Sequence, residues 1–210
     1  KSLQFGRMLA ERPGKMVVFT EFIPTLEHLV EVCGQHSVRY ALYRGDMSRA
    51  EKDAAIVRFR DEADVLLSTG SGGEGRNLQF ANTVVNFDLP WNPMRLEQRV
   101  GRVHRIGQTK EVFVLNFCQA GTIEEQLLRV LHDKINMFEL VVGEVDAILG
   151  LLEEGRDFAD LVLELWVSTR DSGGVEQAFD GLADRLLEAK KHYLSTKKLD
   201  ATLFQRDFEV

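Results

Sequence analysis

Three polar side chains recur at helical spacing in the segment LEQRVGRVHRIGQ, residues 96–108. At about 100° per residue, Gln98, Arg102 and Arg105 fall on one stripe, roughly opposite the apolar residues of the same predicted helix. Planar guanidinium groups bind phosphoryl oxygens well and stabilise their negative charge. Because an exposed arginine stripe often serves only solubility, the spacing alone leaves a phosphate site and a solvated surface equally open.

A second candidate site is the glycine-rich segment STGSGGEGRN, residues 68–77. Clustered glycines let backbone N–H groups come close to an anion, although glycine content alone is also typical of a flexible turn. The sequence contains no G-x-x-x-x-G-K-[ST] phosphate loop and no D-E-x-x pair that would bind magnesium at a strand end. We therefore predict that these residues do not hold and hydrolyse a nucleotide by themselves.

Charge is distributed unevenly along the 210 residues, whose net charge is −7. Residues 1–140 contain 18 basic and 18 acidic side chains, whereas residues 141–210 contain 8 and 15. Within the first part, basic residues concentrate between Arg76 and Lys110, which predicts a local basic patch on an acidic chain. The change in charge near residue 140 predicts a domain boundary, and the acidic tail is most simply a solvated surface.

Several protein classes are excluded by composition. No apolar run approaches the roughly 20 residues that cross a bilayer. Cys33 and Cys118 lie far apart without a C-x-x-C motif, and the histidines are scattered. We therefore predict no membrane span, no disulfide framework and no metal site in this chain.

The candidate sites need elements that position them, and the first 140 residues supply an alternation of strand and helix patterns. Near-continuous apolar strands between helices predict an α/β fold, a doubly wound parallel sheet covered on both faces. In such sheets, ligands bind outside the carboxyl ends of the strands. Strands are predicted at residues 16–19, 38–43, 65–67, 83–87 and 112–117.

Helix signals fill the gaps between these strands. Gly101 would lie inside one of the helices at a cost of about 1 kcal/mol, which suggests close approach by another group. After about Gly143 the strand signals stop, and two amphipathic helices are predicted around Phe158–Trp166 and Leu182–Tyr193. Earlier helices are predicted from Pro24, from a Ser48–Glu51 capping box, over Pro93–Ile106 and from a Thr122–Glu125 capping box.

Four segments together resemble a known family. VFTEF (18–22), YRGDMSRAEKDAAIVRF (43–59), STGSGGEGRNLQFANTVVNFDLPWNP (68–93) and LEQRVGRVHRIGQ (96–108) are similar to the C-terminal motor-lobe motifs of Swi/Snf-type translocases, which belong to the superfamily-two helicases. The resemblance implies a RecA-like lobe over residues 1–142 and an acidic helical extension over residues 143–210. GSGGEGRNLQF is closest to the bacterial branch that includes an RNA-polymerase-recycling ATPase.

The resemblance implies roles at a nucleotide. Arg102 and Arg105 match arginine fingers that reach the γ-phosphate of ATP, and Gln98 belongs to the same block. Gly75 and Asn77 match the glycine-rich block that lines the nucleotide. The cofactor implied is ATP with Mg²⁺, and the metal ligands are expected on an N-terminal RecA-like lobe of the same polypeptide. These residues alone are therefore expected to be inactive as an ATP hydrolase.

The resemblance also implies nucleic-acid contacts. Thr69 matches a residue that contacts a nucleic-acid phosphate, and Thr20 and Arg44 lie in motifs that run along the tracked strand. Trp91 matches an aromatic residue near the DNA path, although a core tryptophan fits its sequence equally well. Gly70 departs from the family, because many members have Asp there, and this weakens a coupling role for the position.

The function implied is that of a motor lobe in an ATP-driven translocase or remodeller acting on double-stranded DNA. Its location would be the bacterial cytoplasm, in association with the nucleoid. Two other functions stay open: a lobe of a strand-separating helicase, and an interaction module whose acidic helices dock a partner such as RNA polymerase.

Overall fold

The computed structural model describes residues 1–70, 76–105, 107–134, 144–152, 157–169 and 172–204. The chain divides into two compact units: Lys1–Pro90 with Gln98–Gln119, and Trp91–Glu97 with Ala120–Val210. The domain boundary predicted between residues 142 and 143 lies outside the described residues and stays a prediction.

The first unit is built on a five-stranded parallel sheet in the order β2-β3-β1-β4-β5. The three central strands are buried along their whole length, as expected where helices cover both faces of a sheet. The predicted α/β fold and all five predicted strands are confirmed. The strands are β1 (Met16–Thr20), β2 (Tyr40–Tyr43), β3 (Val65–Thr69), β4 (Thr83–Asn86) and β5 (Phe113–Asn116).

Three helices pack on this sheet: α1 (Ser2–Glu11), α2 (Ile23–Gln35) and α3 (Arg49–Asp61). The capping box predicted at the start of α3 is present, because the Glu51 amide donates to Ser48 Oγ at 3.3 Å and the Ser48 amide donates to Glu51 Oε2 at 2.8 Å. Helix α1 was not predicted. Its buried Phe5 and Leu9 are four residues apart, which is the spacing of a helix that covers one face of the sheet.

Helix α4 is shorter than predicted, because it runs over Pro93–Val100 and not to residue 106. Beyond it the amides of Arg102 and Val103 donate three residues back, to the carbonyls of Arg99 and Val100 at 3.2 and 3.0 Å. Such bonds are typical of the tighter turns that end a helix. Gly101 therefore lies in a turn and not inside the helix. The close approach inferred at Gly101 stays a prediction.

The second unit contains helices only among its described residues. α5 (Ile123–Arg129) continues into a π-helical turn over Val130–Lys134, followed by α6 (Glu144–Gly150), α7 (Phe158–Ser168) and α8 (Ser172–Phe204). The two predicted tail helices are confirmed as α7 and α8. The capping box predicted at Thr122 is not formed: the Glu125 carboxylate accepts from the Gly121 amide at 2.7 Å instead.

Candidate functional site

The carboxyl ends of β1, β2 and β3 bring three of the predicted nucleic-acid contacts side by side. Thr20 and Thr69 are register partners at the ends of β1 and β3. Arg44 directly follows β2, and the amide of the next residue, Gly45, donates to Thr69 Oγ1 at 3.1 Å. The sheet therefore gathers Thr20, Arg44 and Thr69 at the edge where doubly wound folds bind ligands.

Arg44 is held by a carboxylate from its own loop. Its Nε donates to Asp46 Oδ1 at 2.9 Å, and its Nη2 donates to the second carboxylate oxygen. This hydrogen-bonded pair raises the pKa of Arg44 and lowers that of Asp46. The Arg44 side chain still has 36% of its surface exposed, so part of it faces solvent.

Thr20 occupies a different environment from Arg44, because it is fully buried. Its hydroxyl donates to Asp88 Oδ2, which also accepts the Glu21 amide at 2.8 Å. The Thr20 side chain is thus engaged inside the molecule, whereas Thr69 keeps 8% of its surface exposed and accepts from the neighbouring loop.

Gln98, Arg102 and Arg105 lie on α4 and the turn that follows it. Gln98 and Arg105 are exposed, and Arg102 is partly exposed. Within the described residues, the side chains of Arg102 and Arg105 have no hydrogen bond or ion pair. The Arg102 amide donates to the Arg99 carbonyl at 3.2 Å, so the chain continues to wind beyond the helix. Because the helix ends at Val100, the common stripe of the three side chains stays a prediction.

Asn77 lies next to this turn. The amide of Leu78 donates to the Arg102 carbonyl at 3.0 Å, which joins the end of the glycine-rich segment to the arginine turn. The Asn77 side chain accepts from the Gln79 amide and donates to Gln79 Oε1, both at 3.0 Å. Gly75, the other predicted nucleotide contact, lies outside the described residues.

Arg76, which follows the glycine-rich segment, is also paired. Its Nη2 lies 2.5 Å from Asp53 Oδ1 on α3. A hydrogen bond to Tyr43, followed by the charge of Asp53, raises its pKa.

Sequence reasoning missed the most deeply buried charged group of this region. Arg99 falls within the basic patch predicted between Arg76 and Lys110, but it is only 4% exposed. Its Nη1 donates to Asn86 Oδ1 at 2.9 Å and to the Asp88 carbonyl at 3.3 Å, and its Nη2 donates to the Glu21 carboxylate. The guanidinium carbon also lies 5.1 Å from the centre of the Phe19 ring. A signal existed, because Arg99 falls beside the apolar stripe of its helix rather than on the polar stripe.

Trp91 is half-buried and belongs to the second compact unit. Its neighbour Asn92 accepts the Met94 amide at 2.9 Å and thereby caps the start of α4. The structure thus describes Trp91 at a helix entrance, in a unit separate from Thr20, Arg44 and Thr69.

Chemically, the site offers two kinds of arginine. Arg44, Arg76 and Arg99 already have carboxylate partners, whereas Arg102 and Arg105 have none among the described residues. Unpaired guanidiniums on a fixed turn suit a phosphoryl group. In the same described part of the chain, no group of three or more His, Cys, Asp or Glu side chains could hold a metal ion. No helix found there is long and apolar enough to cross a membrane.

Comparison with known proteins shows the family to which this chain belongs. Residues 2–107 match the helicase conserved C-terminal domain. The chain belongs to this family. The chain is 44% identical to the ATP-dependent helicase YqhH of Bacillus subtilis over 149 residues, which cover 71% of this chain and 27% of that protein.

Two further relatives connect the chain with Swi/Snf-type ATPases. The RNA polymerase-associated protein RapA of Proteus mirabilis is 33% identical over 195 residues, covering 87% of this chain and 20% of that protein. The structure of the Sulfolobus solfataricus SWI2/SNF2 ATPase core in complex with double-stranded DNA matches with a TM-score of 0.52 and 28% identity, over 71% of this chain and 32% of that one. The chain spans about a third or less of each of these relatives. The predicted membership of the Swi/Snf-type C-terminal lobes, with their RecA-like fold, is confirmed.

Proposed function

We propose that this lobe completes the ATPase site of a double-stranded DNA translocase of the Swi/Snf type, with Arg102 and Arg105 acting on the γ-phosphate of ATP. The observation that carries the proposal is the pair of guanidiniums without a carboxylate partner among the described residues, on a turn bonded to the Asn77–Leu78 segment. A guanidinium that is already neutralised by a carboxylate would have to break that pair before it could stabilise a phosphoryl transition state. Arg102 and Arg105 have no such step to make.

The nucleotide itself needs groups beyond these two arginines. Gln98 and Asn77 are exposed beside the arginine turn and suit hydrogen bonds to ATP. Gly75, which lies outside the described residues, is kept as a proposed contact because the family resemblance implies it. Bound Mg²⁺ would neutralise phosphate charge, and the family resemblance implies that its ligands lie on an N-terminal RecA-like lobe.

DNA would bind through phosphates at the carboxyl edge of β1, β2 and β3. Arg44 supplies the charge, Thr69 a hydroxyl, and Thr20 shapes the edge from inside. Contacts of this kind read the backbone and not the bases, so binding is expected to be largely independent of sequence and to weaken steeply with salt. Trp91 is kept as a proposed contact near the DNA path.

The test compares the full-length protein with residues 1–210 alone. We expect DNA-stimulated ATP hydrolysis only in the full-length protein, because this chain has no phosphate loop. On duplex DNA the full-length protein should displace a third strand without separating the duplex. Turnover by residues 1–210 alone would contradict the proposal, and unwinding of a forked duplex would favour the strand-separating function instead.

The bacterial relatives support a proposal about a partner and a location. RapA of Proteus mirabilis is by name associated with RNA polymerase. We propose RNA polymerase as a partner of this protein also, in the cytoplasm and at the nucleoid, with the acidic extension, residues 143–210, as the docking region. Capture of purified RNA polymerase should be lost when these residues are deleted, while DNA-stimulated ATPase activity persists.

A further inference from the structure

The guanidinium of Arg99 is fixed more firmly than a surface arginine can be. A charged group out of water persists only when it is paired and hydrogen-bonded. Arg99 meets this condition with the Glu21 carboxylate, the Asn86 side chain and the Asp88 carbonyl, at the ends of β1 and β4. The last turn of α4 is therefore tied to the middle of the sheet.

This anchor lies directly before the proposed arginine fingers. The Arg99 carbonyl accepts the Arg102 amide at 3.2 Å, so Arg99 belongs to the turn that carries the first finger. The other end of the turn is held by Gln108, whose Nε2 donates to the carbonyls of Gln79 at 2.9 Å and Val103 at 3.1 Å. With both ends held, the position of the turn depends on the Arg99 anchor at one end and on Gln108 at the other.

Gly70 leaves room for the carboxylate that holds Arg99. The Gly70 amide donates to the Thr20 carbonyl at 3.0 Å, which fixes its backbone beside Glu21. A Cβ atom at residue 70 would lie 2.5 Å from Glu21 Oε1 and 2.7 Å from Glu21 Cδ. Those distances are shorter than any van der Waals contact, so a side chain at residue 70 and the present position of the Glu21 carboxylate exclude each other.

We propose that Glu21 and Arg99 are positioning residues for the arginine fingers, and that Gly70 is required because the Glu21 carboxylate occupies the space of a side chain at that position. The proposal rests on the function assigned to Arg102 and Arg105. The Cβ of an aspartate at residue 70 would lie 2.7 Å from the present position of Glu21 Cδ, so its carboxylate, one bond further on, would lie beside the space that the Glu21 carboxylate now fills. One carboxylate must face Arg99, and it can come from residue 21 or from residue 70, but not from both.

The test is an exchange of the carboxylate between the two positions in the full-length protein. We expect Glu21→Ala and Gly70→Asp each to lower kcat for ATP by about 10²-fold, since small displacements of catalytic groups have effects of this size. The double variant E21A/G70D should recover to within about tenfold of the wild-type kcat. Glu21→Gln keeps the shape of the side chain and removes its charge, so it should fold and should lower kcat by about tenfold.

The controls separate positioning from general stability. Asp61→Asn removes an exposed carboxylate that pairs with Arg60 elsewhere on the first unit, and it should leave kcat unchanged. Melting temperatures of all variants show whether a loss of kcat reflects unfolding. The inference is overturned if folded Glu21→Gln and Gly70→Asp proteins keep the wild-type kcat, or if the double variant is worse than either single variant. Failure of the proposed function looks different, because Arg102→Ala and Arg105→Ala would then leave kcat unchanged in the wild-type background.

Discussion

Two segments of the first unit carry arginines that reach solvent, and the arginines differ in whether a carboxylate pairs with them. In the loop after β2, Arg44 is paired with Asp46, two residues further on. In the turn after α4, Arg102 and Arg105 have no carboxylate partner among the described residues. The local sequence explains why only Arg44 has a nearby carboxylate partner, because residues 98–110 contain no Asp or Glu. A segment without acidic residues leaves its positive charges available for a phosphate. A neighbouring aspartate instead orients the arginine side chain and neutralises part of its charge.

The largest effect is expected from the unpaired arginines. Arg105→Ala in the full-length protein should lower DNA-stimulated ATP turnover by roughly 10³–10⁵-fold, the range of arginine fingers in phosphoryl transfer. The melting temperature should barely change, because Arg105 is exposed. Steady-state ATPase assays and thermal denaturation measure the two quantities.

Arg58→Ala, on the exposed face of α3, is the matched control and should leave turnover unchanged. If Arg105→Ala kept wild-type turnover, the acid-free turn would be ordinary solvated surface and the contrast between the two segments would have no catalytic meaning.

A smaller effect is expected from the paired arginine. Arg44→Ala should weaken duplex DNA binding several-fold and reduce the slope of log K against log salt by about 0.9, the loss of one phosphate contact. Fluorescence anisotropy titrations at several salt concentrations measure both values. Arg60→Ala removes an arginine with a similar aspartate pair on α3 and should change neither. An unchanged salt slope for Arg44→Ala would place the DNA path elsewhere.

Removing the Asp46 carboxylate should change the affinity for duplex DNA in the opposite direction. Asp46→Asn frees the Arg44 guanidinium from its partner and should tighten DNA binding, by up to about fivefold given the modest strength of exposed pairs. Asp61→Asn, which frees Arg60 in the same way, should leave the affinity unchanged. Weaker binding by Asp46→Asn would mean that the aspartate serves mainly to orient Arg44.

The smallest effect is expected from the helix cap at the end of the loop that carries Arg44 and Asp46. Ser48 ends that loop and caps α3. Ser48→Ala should lower the free energy of unfolding by about 1 kcal/mol, as seen for other N-caps. Thr122→Ala at the start of α5 should cost less, because Thr122 makes no side-chain cap hydrogen bond. Denaturant titrations of the two variants give the comparison, and equal losses would contradict it.

The sheet and most of its helices were predictable because their signals are local. The apolar runs of β1, β3 and β4 are buried on both faces, and the capping box of α3 forms from residues three apart. Pairings of polar groups across the sheet were not predictable. The partners of Arg99 at Glu21 and Asn86 lie far away in sequence, and only the fold brings them together.

The candidate site divides along the same line. Spacing predicts the arginine stripe, and the exposed positions of Gln98 and Arg105 are compatible with it. Spacing does not predict that the helix ends at Val100, because Val103 is still buried at the helical period. The buried position of Thr20 depends on Asp88, which the sequence places beyond β4. Asp46, the partner of Arg44, is only two residues away in the sequence. The pair was still not predicted, because Asp is also favoured in turns for reasons that involve no arginine.

The strand order has a consequence for how this lobe is made. The central strand β1 is synthesised first, yet its register partners begin at Val65 in β3 and at Thr83 in β4. Ribosomes add about 5–20 residues per second, so an apolar strand waits for seconds before either neighbour emerges. During that time MVVF is a segment of the kind that associates between chains. We therefore expect nascent chains that stop before β4 to aggregate or to recruit chaperones, and the yield of soluble lobe to depend on how quickly translation passes residues 65–86.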